Sequence, residues 1–171
     1  MNGLLDSIVQ ALRGLPPELT VFLISALPIF EIRGGVIAGL ALLHLPLAET
    51  LLYGLLGNIA SITPVLLFLE PISKWVHGNR FARRFLEWLF AHAERKAAAV
   101  NRWGALGLTV FVSIPLPGTG AWTGSIIAVL LGMRRLPALA CCYLGIVIAG
   151  LVVSLLTLGG MAGVDHLRGA P

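Results

Sequence analysis

Charge is what this 171-residue sequence has least of. Asp, Glu, Lys and Arg together make up 12% of it, against 57% hydrophobic residues and a mean hydropathy of +0.92. A soluble domain carries about 25% charge, and intrinsic disorder needs high net charge with few apolar residues, so both classes drop out. The composition is that of an integral membrane protein. Cysteine is almost missing as well. Cys141 and Cys142 are neighbours in an apolar run, where a strained vicinal bridge is disfavoured and no metal-binding spacing exists, so they read as small packing residues. The histidines His44, His77, His92 and His166 form no spaced cluster, so no metal is expected. No Ser-His-Asp set, phosphate-cradling Walker sequence or pair of catalytic carboxylates can be assembled, which argues against an enzyme and against a resident cofactor. Asp6 stands early with no basic start and no small-residue cleavage site, so no removed signal peptide is expected.

The charge that is present is unevenly placed. Residues 71–102 hold Lys74, Arg80, Arg83, Arg84, Arg95, Lys96 and Arg102 against Glu87 and Glu94, giving +5 where the whole chain has +4. The same stretch carries Trp75, Phe81, Phe85, Trp88 and Phe90 and lies between long apolar runs. Its expected partner is therefore the anionic headgroups of a cytoplasmic membrane surface, not nucleic acid, and a prokaryotic cell membrane with this linker inside is the expected location.

The expected organisation is a single membrane domain. Residues 1–17 place Leu4, Leu5, Ile8, Val9 and Leu12 at helical spacing and end at Pro16-Pro17, as an interfacial amphipathic helix would. Residues 18–70 form a first half, 71–103 a basic amphipathic linker, 104–164 a second half and 165–171 a tail. Each half has one apolar segment broken near its middle and then one continuous span. The first break is Pro28-Ile-Phe-Glu31-Ile-Arg33-Gly34-Gly35; the second is Pro115-Leu-Pro117-Gly118-Thr119-Gly120. Pro28 and Pro115 stand 87 positions apart and Gly57 and Gly145 stand 88 apart, so the halves read as a duplication.

Each arm of a broken segment, at about 1.5 Å per residue, reaches only the middle of a hydrocarbon core about 30 Å thick. The arms could continue across as a discontinuous helix or turn back as a re-entrant hairpin. Counting Lys and Arg gives nine against two either way. Hairpins leave one crossing per half and make the repeats inverted, which is a recurring transporter plan and favours them. The fold expected is thus all-α, with two inverted repeats, each a re-entrant helical hairpin plus a transmembrane helix.

The two broken segments, the second extended through Ala121-Trp122-Thr123-Gly124, resemble the signature segments of the small multidrug export family, over almost the whole chain. That family looks related to the DedA or VTT-domain superfamily of re-entrant-loop transporters and lipid scramblases. The resemblance implies two facing hairpins, each followed by a span, and transport across the membrane. The additional arginine and acidic residue of DedA-like second hairpins have no counterpart here, since residues 104–133 carry no charge.

Glu31 and Arg33 are the only charges within the strongly apolar runs, where insertion costs at least about 2.5–3.5 kcal/mol each. They either fasten the hairpin to other polar groups or serve as a proton or cation carrier (Glu31) and an anion contact (Arg33). A direct pair between them would need the non-helical tip that Pro28 and Gly34-Gly35 can supply. In the second break, Gly118 and Gly120 could let backbone N–H groups converge, with the Thr119 hydroxyl and a half-helix starting near Ala121 completing an anion site; otherwise the glycines only permit a turn and Trp122 packs. Asn58 is the strongest polar candidate on the spans, with Ser61, Thr63, Ser154 and Thr157 behind it, either lining a cavity or joining helices. The candidate site is Glu31, Arg33, Gly34, Asn58, Pro115, Pro117, Gly118, Thr119, Gly120, Trp122 and Thr123. The function expected is a small secondary transporter, proton-coupled, with a midplane site formed by the two tips and a small-molecule or lipid substrate. A lipid flippase or scramblase moving a phosphate-bearing headgroup and a non-transporting scaffold are the alternatives, and a homo-oligomer is plausible.

Overall fold

The computed structural model describes residues 3–75, 84, 91, 94, 97, 100, 103–116 and 119–168, with the side chains of 70–75, 165, 167 and 168 left aside. Among the described residues every regular element is helical. These are α1 (Leu4–Ala11), α2 (Pro17–Ala26), α3 (Glu31–Ile37) with a π-helical turn over Ala38–Leu42, α4 (Leu47–Trp75), α5 (Gly104–Ser113), α6 (Ala121–Leu130) and α7 (Arg135–Arg168). Among the described residues two stretches are long and apolar enough to cross a membrane, Leu47–Leu69 in α4 and Arg135–Val164 in α7. The chain divides into two compact units, one of residues 1–58 with 148–171, the other of residues 59–147. Both long helices therefore pass from one unit to the other, a division that does not follow the two sequence halves.

The breaks in the apolar segments have a common cause. Proline disfavours helical backbone in the residue before it. Leu27, preceding Pro28, has φ −73° and ψ 132°, and ends α2; Ile114, preceding Pro115, has φ −74° and ψ 122°, and ends α5. The returning arms also end alike, with His44 at φ 53° and Gly132 at φ 62° in left-handed backbone, 88 positions apart.

Each broken segment folds back on itself. In the first unit a Cβ on Gly35 would strike the Ser25 hydroxyl and lie 3.2 Å from the Val21 carbonyl oxygen. Fourteen residues of unbroken helix would separate Val21 from Gly35 by about 21 Å. In the second unit a Cβ on Gly124 would lie 2.6 Å from Val112 Cγ2 and 3.3 Å from Leu108 Cδ1. Both segments are thus helical hairpins. A glycine of a long helix then seats against each outgoing arm. Gly57 of α4 lies against the Phe22 carbonyl of α2, and a Cβ on Gly145 of α7 would sit 3.0 Å from the Thr109 carbonyl oxygen of α5. Phe22 and Thr109 stand 87 positions apart, so the same close approach recurs at equivalent places in the two units.

One expectation is corrected. Gly34 and Gly35 do not belong to a non-helical tip, because both lie inside α3 and the non-helical part of the first break is Leu27–Phe30. Their lack of a side chain serves packing, Gly35 against Ser25 and Gly34 against Phe30, whose Cβ would be 2.5 Å from a Cβ there.

Within residues 1–17 the chain forms the short helix α1, with Leu5, Ile8, Val9 and Leu12 half-buried and Leu4 exposed. The basic linker at 71–103 lies largely outside the described residues. Within it Arg84, Ala91 and Glu94 are helical and exposed, while Ala97 and Val100 are helical and buried.

Candidate functional site

In the first unit the two charged groups Glu31 and Arg33 stand at the start of the returning arm. Glu31 opens α3, is only 6% exposed, and has φ 51°, a left-handed backbone that a non-glycine residue adopts at a cost of about 1–2 kcal/mol. Its N–H donates to the Leu27 carbonyl at 2.9 Å, closing the turn that Pro28 forces. Arg33 is half-buried two residues further on, within electrostatic reach of Glu31. Ile32, between them, packs where α4 and α7 have glycines. A Cβ on Gly54 would be 2.8 Å from Ile32 Cδ1, and one on Gly150 would be 3.2 Å from Ile32 Cγ1. Asn58, fully buried, stands one turn beyond Gly54 on the same face of α4.

Sequence reasoning missed two further groups here. Ser25 and Thr50 are completely buried, and with Ser154 they have hydroxyls that find no hydrogen-bond partner among the described residues. A single small polar residue in an apolar run is the only signal the sequence offered for either.

The turn of the second unit is held differently. Pro117 and Gly118 lie outside the described residues. Pro115 is exposed, and Gly120, buried, has φ 153°, a conformation that requires glycine. The Thr119 hydroxyl donates to the carbonyls of Ile114 (2.8 Å) and Leu116 (2.9 Å) and so clasps the turn. α6 starts at Ala121, as its half-helix was expected to, and its first intrahelical bond runs from Gly124 N–H to the Gly120 carbonyl at 2.8 Å. The N–H groups of Ala121, Trp122 and Thr123 thus form the amino end of this helix. Thr123 is half-buried.

Trp122 ties this helix to α4, its indole Nε1 donating to Ser61 Oγ at 3.3 Å. Two residues further along α4, Thr63 donates to the Ile59 carbonyl at 2.6 Å, which leaves the Tyr143 hydroxyl to donate to Thr63 Oγ1 at 2.8 Å. Ser61 and Thr63 therefore join helices, the second of the two roles open to them. Tyr143 was counted only as part of the apolar run of α7. Thr157 is satisfied within its own helix by the Val153 carbonyl at 2.8 Å. Cys141 is half-buried and Cys142 buried, and neither forms a disulfide among the described residues. Among the described residues no three His, Cys, Asp or Glu side chains come together as metal ligands.

The second proline-broken hairpin, the returning arm of the first and the glycines on which both are seated lie within the region that a family model recognises. The model described as Putative small multi-drug export protein matches residues 31–152, more than two-thirds of the chain. The chain belongs to this family. The match begins at Glu31, the strained first residue of α3, so it takes in the whole second break but leaves out α2 and the Leu27–Phe30 turn of the first. With its two long apolar helices, membership makes this a membrane protein of a family named for export. No curated protein and no solved structure matches the chain.

Proposed function

We propose that the chain is a small secondary exporter coupled to protons, in which Glu31 carries the proton and Arg33 contacts an anionic group of the substrate. The observation that carries this reading is Glu31 itself, a carboxylate 6% exposed, at the turn of an apolar hairpin, in strained backbone. Such a group is expensive to keep in a membrane, and intramembrane ionisable residues characteristically mark ion and substrate pathways. Strained backbone gathers at switch points for the same reason. The amino end of α6 at Ala121 offers a second place suited to negative charge.

In this proposal the hairpins are re-entrant. An odd number of crossings per half then makes the repeats inverted, with the basic linker on the cytoplasmic side. Hairpin geometry in each unit supports the first step. A shared midplane site between the two tips also belongs to the proposal and rests on the sequence alone.

The test is proton flux in proteoliposomes that enclose a pH-sensitive dye. Wild type is expected to dissipate an imposed gradient when an exported anionic compound is added. Glu31→Gln should abolish the flux, and Arg33→Gln should lower it for anionic compounds. Wild-type flux in both variants would overturn the assignment. Movement of a fluorescent lipid between leaflets without any gradient would instead select the scramblase alternative.

A further inference from the structure

The first unit holds a groove that plays no part in the hairpin turn. Its volume is about 390 Å³, and it is lined by Pro16, Glu18, Leu19, Phe22, Tyr53 and Leu56. Four walls are apolar, two of the lining side chains are aromatic, and one carboxylate stands among them, with no basic residue in the lining. Glu18 is half-buried at the second position of α2, and no hydrogen bond or ion pair engages its carboxylate among the described residues. Pro16 and Pro17 start α2 directly after α1, so Glu18 sits at the mouth of the broken segment, whereas Phe22 and Tyr53 lie further along their helices.

We infer that this groove binds an alkylated organic ammonium with a compact apolar body. Each part of the lining selects for that chemistry. An anion would meet Glu18 with no compensating cation. A neutral apolar occupant would cover the carboxylate without giving it a partner, which is costly for a charged group. A primary ammonium brings three N–H donors and finds one acceptor side chain. A quaternary ammonium brings charge with no donor to satisfy, and the lining includes two aromatic residues, Phe22 and Tyr53, of the kind that attract such a cation. The volume is at the small end of the range for ligand pockets, about 300–1,000 Å³. It equals about thirteen water volumes of about 30 Å³, enough for a benzyl or short alkyl group on a trimethylammonium head. Such a head comes either on a free solute or on a choline phospholipid. The inference does not depend on the proton-coupled reading of Glu31.

The experiment uses the full chain in nanodiscs of phosphatidylglycerol alone, so that no lipid supplies an ammonium. Equilibrium binding of benzyltrimethylammonium is measured beside neopentylbenzene, its neutral equivalent of the same shape. Wild type is expected to prefer the cation, Glu18→Gln to weaken cation binding at least tenfold, and Phe22→Leu and Tyr53→Leu to weaken it several-fold. Glu18→Asp keeps the charge and should retain most of the affinity, and it serves as the comparison should Glu18→Gln not fold. Equal binding of the two probes, or unchanged cation binding in folded Glu18→Gln, overturns the proposal. Adding phosphatidylcholine to the nanodiscs separates the sources. A higher apparent Kd in wild type but not in Glu18→Gln assigns the resident ligand to a lipid headgroup, and no rise assigns it to a free solute.

Discussion

Replacing Gly57 by alanine tests the seating of the first hairpin on its span. A Cβ at this position would overlap the Phe22 carbonyl oxygen and lie 2.9 Å and 3.0 Å from the carbonyl carbon and Cα of the same residue. All three are backbone atoms, so no rotamer change relieves the clash and α2 itself must move off α4. Overpacking of this kind costs about 1–3 kcal/mol, and only about 0.5–1 kcal/mol returns through the better helix propensity of alanine. Gly57→Ala is therefore expected to destabilise the protein by up to about 2.5 kcal/mol. Gly145→Ala should do the same, because its Cβ would stand 2.6 Å from Val112 Cβ and 3.0 Å from the Thr109 carbonyl oxygen. Gly159 and Gly160 are the controls. They lie in the same helix as Gly145 with nothing within 4 Å of a Cβ, so alanine there should be neutral or stabilising. Unfolding free energies in bicelles, obtained by steric trapping, read all four. If Gly57→Ala and Gly145→Ala are as harmless as Gly159→Ala and Gly160→Ala, the hairpins do not pack on the long helices as described.

Further predictions concern single bonds and backbone strain. A double-mutant cycle of Trp122→Phe with Ser61→Ala should show a coupling of about 0.6 kcal/mol, with about 1.7 kcal/mol as a ceiling. The cycle of Tyr143→Phe with Thr63→Val should fall in the same range, and zero coupling in either would remove that bond from the account. At Glu31, φ 51° makes glycine preferable to alanine, so Glu31→Gly should be about 1 kcal/mol more stable than Glu31→Ala. Ordinary helical backbone at that residue would reverse the order, because glycine is then the worse helix former.

Both breaks were legible in the sequence, because proline acts on the residue before it and Leu27 and Ile114 obey that rule whatever surrounds them. The long spans were legible from uninterrupted apolar length, and the start of α6 at Ala121 from the glycine before it. Gly34 and Gly35 were misread because glycine either breaks a helix or lets two helices meet. Only the presence of Ser25 and Phe30 against them decides which. That the Thr119 hydroxyl reaches two carbonyls of its own turn follows from the fold of that turn, which composition does not show. Tyr143 escaped notice because hydropathy counts its ring and ignores its hydroxyl. The left-handed backbone at Glu31 has no composition signal at all. The groove beside Glu18 brings together side chains of α2 and α4 more than thirty residues apart, which no local pattern reveals.

The most direct test of the central claim, that each broken segment turns back within the membrane, is the side from which single cysteines can be labelled. Cys141 and Cys142 are first replaced by alanine, and cysteine is then placed at Gly14, Ala91, Arg134 or His166, all exposed positions. Impermeant maleimide is applied to sealed vesicles of known orientation. Re-entrant hairpins put residues 14 and 166 on one side and residues 91 and 134 on the other. If residues 14, 91 and 166 label together and only 134 labels from the opposite face, the broken segments cross the bilayer and the account is wrong.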